Sequence, residues 1–176
     1  MAVPIEIDVW QGEIAELEVD AIIVPANESL FMTNPLAQSI KRRAGETVER
    51  EAVAQSPVPP GSAAVTGGGN LAASHIIHAV AVGHELKQDR SVLASALNTA
   101  FDMASHLGLK RIAMSPIGVE RGVFSAEEAA GVLAEVLVGR GARGDALPTS
   151  LVIVVAAAEQ ATAYRSASEA LQAASR

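Results

Sequence analysis

Asp20-Ala-Ile-Ile-Val-Pro-Ala-Asn27 is the stretch that decides the fold. Four apolar residues, Ala21 to Val24, run from an acid into Pro-Ala-Asn, which fits a strand buried on both faces of a sheet. Such sheets carry helices on either side, and their ligands sit in the crevice beyond the carboxyl ends of the strands. The two polar ends, Asp20 and Asn27, are therefore the first candidates for contact with a ligand.

Outward from this strand, hydrophobic spacing places the other elements. Residues 3–9 alternate apolar and polar, which predicts a half-exposed strand. Leu36, Ile40, Ala44 and Val48 follow Pro35 at helical spacing and predict one helix running to Ala54, with Asn34 as N-cap. After the Pro-rich turn 56–61, Ser62–Thr66 and His75–Val82 read as two short strands of a hairpin. Residues 89–107 form an amphipathic helix, Arg111–Met114 a strand and Ser115–Phe124 a loop. Ser125 and Glu128 have capping-box spacing and open a helix that ends at Gly139. A glycine-rich loop (139–148), a strand (150–156) and a helix (about 159–174) close the chain. Alternating strands and helices around a hairpin predict one domain, 1–176: a three-layer α/β/α sandwich with a mixed, mainly parallel sheet.

Composition narrows the function. The 176 residues are 49% hydrophobic, 19% charged and only 3% aromatic, so the core is aliphatic. A net charge of -7 argues against binding a nucleic-acid backbone, which needs a basic surface. With no cysteine, thiolate chemistry and cysteine-ligated zinc are excluded. The first residues lack the basic-then-apolar pattern of a signal peptide, and the apolar run near 151–158 is too short to span a bilayer. The expectation is a cytoplasmic protein without a membrane segment.

Two loops lie between a strand and a helix, 27–35 and 115–124. Helix N-termini there would offer backbone N–H groups and a positive dipole end to an anion. Gly118 and Gly122 would let the second loop approach a ligand closely. His75 and His78, three apart in one strand, fall on opposite faces and read as structural, so no metal and no cofactor is expected. Ser29, Thr66 and Ser115 have no His and acid nearby in sequence, and no catalytic residue is assigned.

In order along the chain, Gln11-Gly-Glu-Ile14, Val19-Asp-Ala-Ile22, Ala26-Asn27-x-x-Leu30, Ile40-Lys-Arg-Arg-Ala-Gly45, Pro60-Gly61, Ala64-Val-Thr66, Ile76-Ile-His-Ala79, Gly118, Gly122, Phe124 and Glu127-Glu-Ala-Ala130 resemble the macrodomain, an ADP-ribose-binding α/β/α module. The resemblance spans nearly the whole chain. It implies that Asp20 holds the adenine amino group, with the backbone of Ala21 and Ile22 nearby, and that Asn27 approaches the distal ribose. It implies a diphosphate site walled by 31–36, including Thr33 and Asn34, and by 117–123, including Gly118, Val119, Glu120, Arg121, Gly122 and Val123. Phe124 would pack near the distal ribose. The implied partners are ADP-ribose or a related nucleotide and an ADP-ribosylated protein.

The chain departs from the family pattern in both loops. The Asp of the hydrolytic branches falls at Ala37, and the first Asn of the usual Asn-Ala-Ala-Asn is Val24. Phe31-Met-Thr-Asn-Pro35 replaces a glycine-rich loop, Glu120 stands among the expected phosphate-binding amides, and Ala156-Ala-Ala158 replaces an adenine-stacking aromatic. Three readings stay open at this point: a nucleotide-binding module without efficient turnover, a degenerate module serving as an interaction protein, and an ADP-ribosyl hydrolase or O-acetyl-ADP-ribose deacetylase. The departures favour recognition over catalysis.

Overall fold

The computed structural model describes residues 4–174. Six strands form one sheet: β1 (Glu6–Gln11), β2 (Ala21–Pro25), β3 (Ser62–Gly67), β4 (His75–Val80), β5 (Arg111–Met114) and β6 (Ser150–Val155), in the order β1-β6-β5-β2-β4-β3. Every neighbouring pair is parallel except β3 with β4. Val3, the first residue of the expected opening strand, lies outside the described residues.

Five helices cover the two faces: α1 (Pro35–Ala44), α2 (Glu46–Val53), α3 (Arg90–His106), α4 (Ala126–Arg143) and α5 (Ala158–Ala173). Alternation within β2 explains the layers. Ala21 and Ile23 face the side covered by α3, α4 and α5, where Leu97, Phe101 and Leu137 complete the larger core. Ile22 and Val24 face the other side, against Ile40, Ala44 and Val48 of α1 and α2. The chain is the three-layer α/β/α sandwich with a mixed, mainly parallel sheet that its sequence predicts.

Local chemistry explains several boundaries. The Asn34 side chain accepts the Ala37 N–H at 2.8 Å and caps α1 with Pro35 in its first turn. Ser125 and Glu128 form the expected capping box of α4. His78 is buried, bonded to the Thr66 hydroxyl at 3.0 Å, and burial pushes its pKa down to about 4, so the ring is neutral.

Two helix boundaries differ from expectation. The helix predicted from Pro35 to Ala54 is broken at Gly45, whose φ of 100° lies outside the helical region. The break is held from outside: the Ala44 carbonyl accepts the Asn70 N–H at 2.9 Å from the β3–β4 connection. Conversely, α4 continues past Gly139 to Arg143 and is capped by left-handed Gly144, so half of the predicted 139–148 loop is helical. Arg140 is the cause. Only 2% exposed, it bonds Asp102 Oδ1 at 2.8 Å and the Ala146 carbonyl at 3.0 Å, and it lies over the Phe101 ring. These contacts tie the last turn of α4 to α3 and offset the low helix propensity of the two glycines.

Arg140→Ala is expected to cost about 2–4 kcal/mol through lost packing and lost hydrogen bonds. Denaturant unfolding checks this, with hydrogen exchange of 139–143 reporting fraying of the last α4 turn.

Candidate functional site

The parallel strands deliver their carboxyl ends to one side of the molecule, and a cleft opens there. A first cavity of about 480 Å³ is lined by Gly12–Ala15 after β1, by Pro35, Leu36, Ser39 and Ile40 of α1, by Ser115 and Pro116 after β5, and by the end of β6. A second, of about 790 Å³, is lined by Ala26, Asn27, Thr33 and Asn34, by Val82–His84 after β4, and by Arg121. Four residues belong to both: Pro25, Pro35, Leu36 and Glu120. The first cavity is largely apolar, and the second carries most of the polar groups.

Of the predicted site residues, Asn27, Thr33, Asn34, Val119, Glu120 and Arg121 line the cleft. Several are already engaged. Asn27 donates through Nδ2 to the Phe31 carbonyl at 3.0 Å and accepts from the Ser29 hydroxyl at 2.8 Å, which closes the 27–31 turn. Asn34 spends its Oδ1 as the α1 cap, and Pro35 has no N–H, so the α1 N-terminus has fewer free donors than the loop-to-helix pattern suggests. Gly118 supports the second loop from beneath. With φ 96° and a Leu93 methyl where a side chain would begin, it strongly favours glycine. Gly122 and Val123 continue the turn without lining either cavity.

Asp20, Ala21, Ile22 and Phe124 are not at the cleft. Asp20 precedes β2 and so lies at its amino end, about 17 Å along the strand from the crevice. There its carboxylate accepts the N–H groups of Arg111 at 2.8 Å and Lys110 at 2.9 Å. These bonds, Arg111 first, hold its pKa below the usual carboxylate value. Ala21 and Ile22 have no exposed surface, and Phe124 is buried beneath the second loop, its N–H on the Gly118 carbonyl at 3.0 Å. The expected adenine contact at Asp20 is thereby corrected.

Among the cavity-lining residues outside the predicted set are Gly12, Glu13 and Ile14. They follow β1 at its carboxyl end, and the crevice rule applied to β1 as well as β2 would have found them. Gly12 leaves room for the ring of Trp10, which a Cβ would approach to 2.5 Å. Glu13 is held toward α1 by Arg43 at 2.8 Å.

Glu120 turns inward. Arg121 takes φ 53° and Gly122 φ 72°, and this tight turn leaves Arg121 exposed while its neighbour faces the cleft. Both Glu120 carboxylate oxygens are buried with no side-chain partner, reached only by the nearby backbone N–H groups of Glu120 and Gly118, and the Ser115 hydroxyl is buried without a partner. Burial raises the Glu120 pKa from 4.5 to about 7, against a weaker opposing pull from the backbone at Glu120 and Gly118. Tyr164 of α5 lies close enough to feel this charge: burial first, and Glu120 second, raise its pKa.

A carboxyl whose pKa is higher folded than unfolded binds more protons in the native state, so it lowers stability as pH rises from 4.5 to about 7. Glu120→Gln is therefore expected to stabilise the fold above neutral pH by on the order of 3 kcal/mol, with no gain below the unfolded pKa. Thermal unfolding of both proteins across pH checks this; a variant no more stable at alkaline pH would contradict the burial of this group.

The Macro domain family model matches residues 23–133, more than half of the chain. An uncharacterized protein of Aeropyrum pernix is 31% identical over 159 residues, covering 87% of this chain and 79% of that protein. Among solved structures, the Trypanosoma brucei macrodomain in complex with ADP-ribose superposes with a TM-score of 0.81 at 21% identity, over 92% of this chain and 68% of that one. The Oceanobacillus iheyensis macrodomain with ADP gives 0.78 at 20% identity, over 93% and 90%. The family match is carried by the segments that build the cleft, from β2 through the Glu120 turn into α4, and the chain belongs to the Macro domain family.

Proposed function

We propose that the cleft binds ADP-ribose, or a related nucleotide, without efficient turnover. The observation that carries this reading is the pair of cavities joined end to end beyond the strand carboxyl ends. An apolar chamber suits a base and its ribose, a more polar one suits a second sugar, and the neck between them suits the linking phosphates. The ADP-ribose held by the Trypanosoma brucei relative supports the same ligand class here. In this reading Gly12–Ile14, rather than Asp20, meet the base.

Absence of turnover rests on the residues near the neck. Ala37 is buried and carries no proton-transferring group, and the Asn27 amide is committed to its own turn. An ADP-ribosylated protein is a natural macromolecular ligand, its modified side chain extending from the distal ribose. Among the described residues no helix is long and apolar enough to cross a membrane. We assign the protein to the cytoplasm on the same footing, and the net charge of -7 speaks against nucleic-acid backbones as partners.

One observation favours a second reading. A buried acid at a residue lining both cavities disfavours an anionic ligand beside it, which fits a module retained for protein interaction.

Calorimetry with ADP-ribose at mildly acidic pH separates the two. Saturable binding is expected, weakened at least tenfold by Ser39→Phe, which fills the first cavity. A modified protein substrate should release no free ADP-ribose. Absence of binding would leave the interaction reading standing.

A further inference from the structure

Left-handed backbone is rare outside glycine, and three residues adopt it among the described ones: Leu30 (φ 62°), Leu86 (φ 53°) and Arg121 (φ 53°). All three fall on loops that surround the second cavity. Leu30 belongs to the turn that Asn27 closes, Leu86 to the loop after β4 and Arg121 to the loop after β5. Leu86 and Arg121 themselves line the cavity. Backbone strain of this kind gathers at ligand sites. For Leu30 packing accounts for it, since its side chain is buried with Ala52 and Val58. Arg121 has no such reason. It is exposed, and its side chain makes no hydrogen bond, ion pair or ring contact among the described residues.

The two cavities together present one permanent cation. No Lys or Arg lines the first, and Arg121 alone lines the second. Cations nearby on α1 are already spent, Arg43 on Glu13 and Glu16, and Lys41 on Glu49. His84 lies 3.5 Å from Glu28. The backbone offers little in exchange, because Pro25 and Pro35 at the neck have no N–H and the Asn34 side chain caps α1. A diphosphate in this cleft therefore has one positive side chain to meet. A guanidinium presents a planar fork of N–H donors that matches phosphoryl oxygens in pairs.

We propose that Arg121 is the specificity-determining residue of the cleft: its guanidinium is the counter-charge for the phosphates of a ligand that spans the two cavities. The inference rests on the nucleotide-binding reading and names the residue that separates a nucleoside diphosphate from a nucleoside. Glycine fits φ 53° without strain, so a side chain at this position is carried at a cost to the backbone that no contact inside the protein offsets. A phosphate in the cleft supplies the missing partner.

The test is calorimetry of the full chain with ADP-ribose, ADP and adenosine, on the unmutated protein, Arg121→Gln and Arg121→Gly. Both substitutions are expected to weaken ADP-ribose and ADP about tenfold and to leave adenosine within about twofold. Between about 50 mM and about 500 mM salt, ADP-ribose affinity should fall severalfold for the unmutated protein and stay nearly level for Arg121→Gln. Arg121→Gly separates binding from folding, because it removes the strain together with the side chain. Its thermal midpoint is expected at or above that of the unmutated protein while its affinity for phosphates is lost. Unchanged ADP-ribose affinity in both variants overturns the proposal. So does an equal loss for adenosine, which would make Arg121 a support of the loop rather than a contact to phosphate. Failure of ADP-ribose to bind even the unmutated protein removes the nucleotide reading itself, a result distinct from tight binding indifferent to residue 121.

Discussion

The amino end of β2 is where the sheet is set. Asp20 draws three strands level: its carboxylate takes the N–H groups of Lys110 and Arg111 that open β5, and its carbonyl takes the N–H and hydroxyl of Ser74 ahead of β4. With the starts of β4, β2 and β5 aligned, their parallel registers bring the carboxyl ends out together. The cleft exists because those ends stop at one level and hand the chain to loops rather than to further pairing. A charge-assisted bond to two backbone amides is stronger than a neutral one, and here it acts at the far end of the molecule from its consequence.

That arrangement explains why the sequence spoke clearly about the fold and misled about one residue. Ala21–Val24 had to be a covered strand because each side chain is apolar, and both faces of β2 are buried. The Asn34 and Ser125 caps were legible because a cap is a local bond with a fixed spacing. The break at Gly45 and the extension of α4 through Gly139 were not, because each is decided by a distant partner: Asn70 in one case, and Asn98, Asp102 and Phe101 around Arg140 in the other. Asp20 was misread because polarity at a strand end does not say which end faces the ligand. Position before the strand does, and it places Asp20 opposite the crevice.

The site itself was legible in outline. Residues of both expected loops line the cavities, Thr33 and Asn34 from one and Val119 to Arg121 from the other. What no local pattern supplies is the direction of Glu120, which follows from the left-handed turn at Arg121 and Gly122. The burial that penalises its carboxylate lowers stability as pH rises through the raised pKa. The scaffold is that of the family; its charge logic at the neck is its own.

The central claim is positional: the ligand lies across the cleft at the strand carboxyl ends, with its phosphates beside Glu120. A crystal structure of the chain with ADP-ribose, grown at mildly acidic pH, tests it most directly. The account predicts the base against Gly12–Ile14, the phosphates at the neck lined by Pro25, Pro35, Leu36 and Glu120, and Asp20 untouched on its two amides. A base held by Asp20, or phosphates displaced from a Glu120 that has swung to solvent, would contradict it.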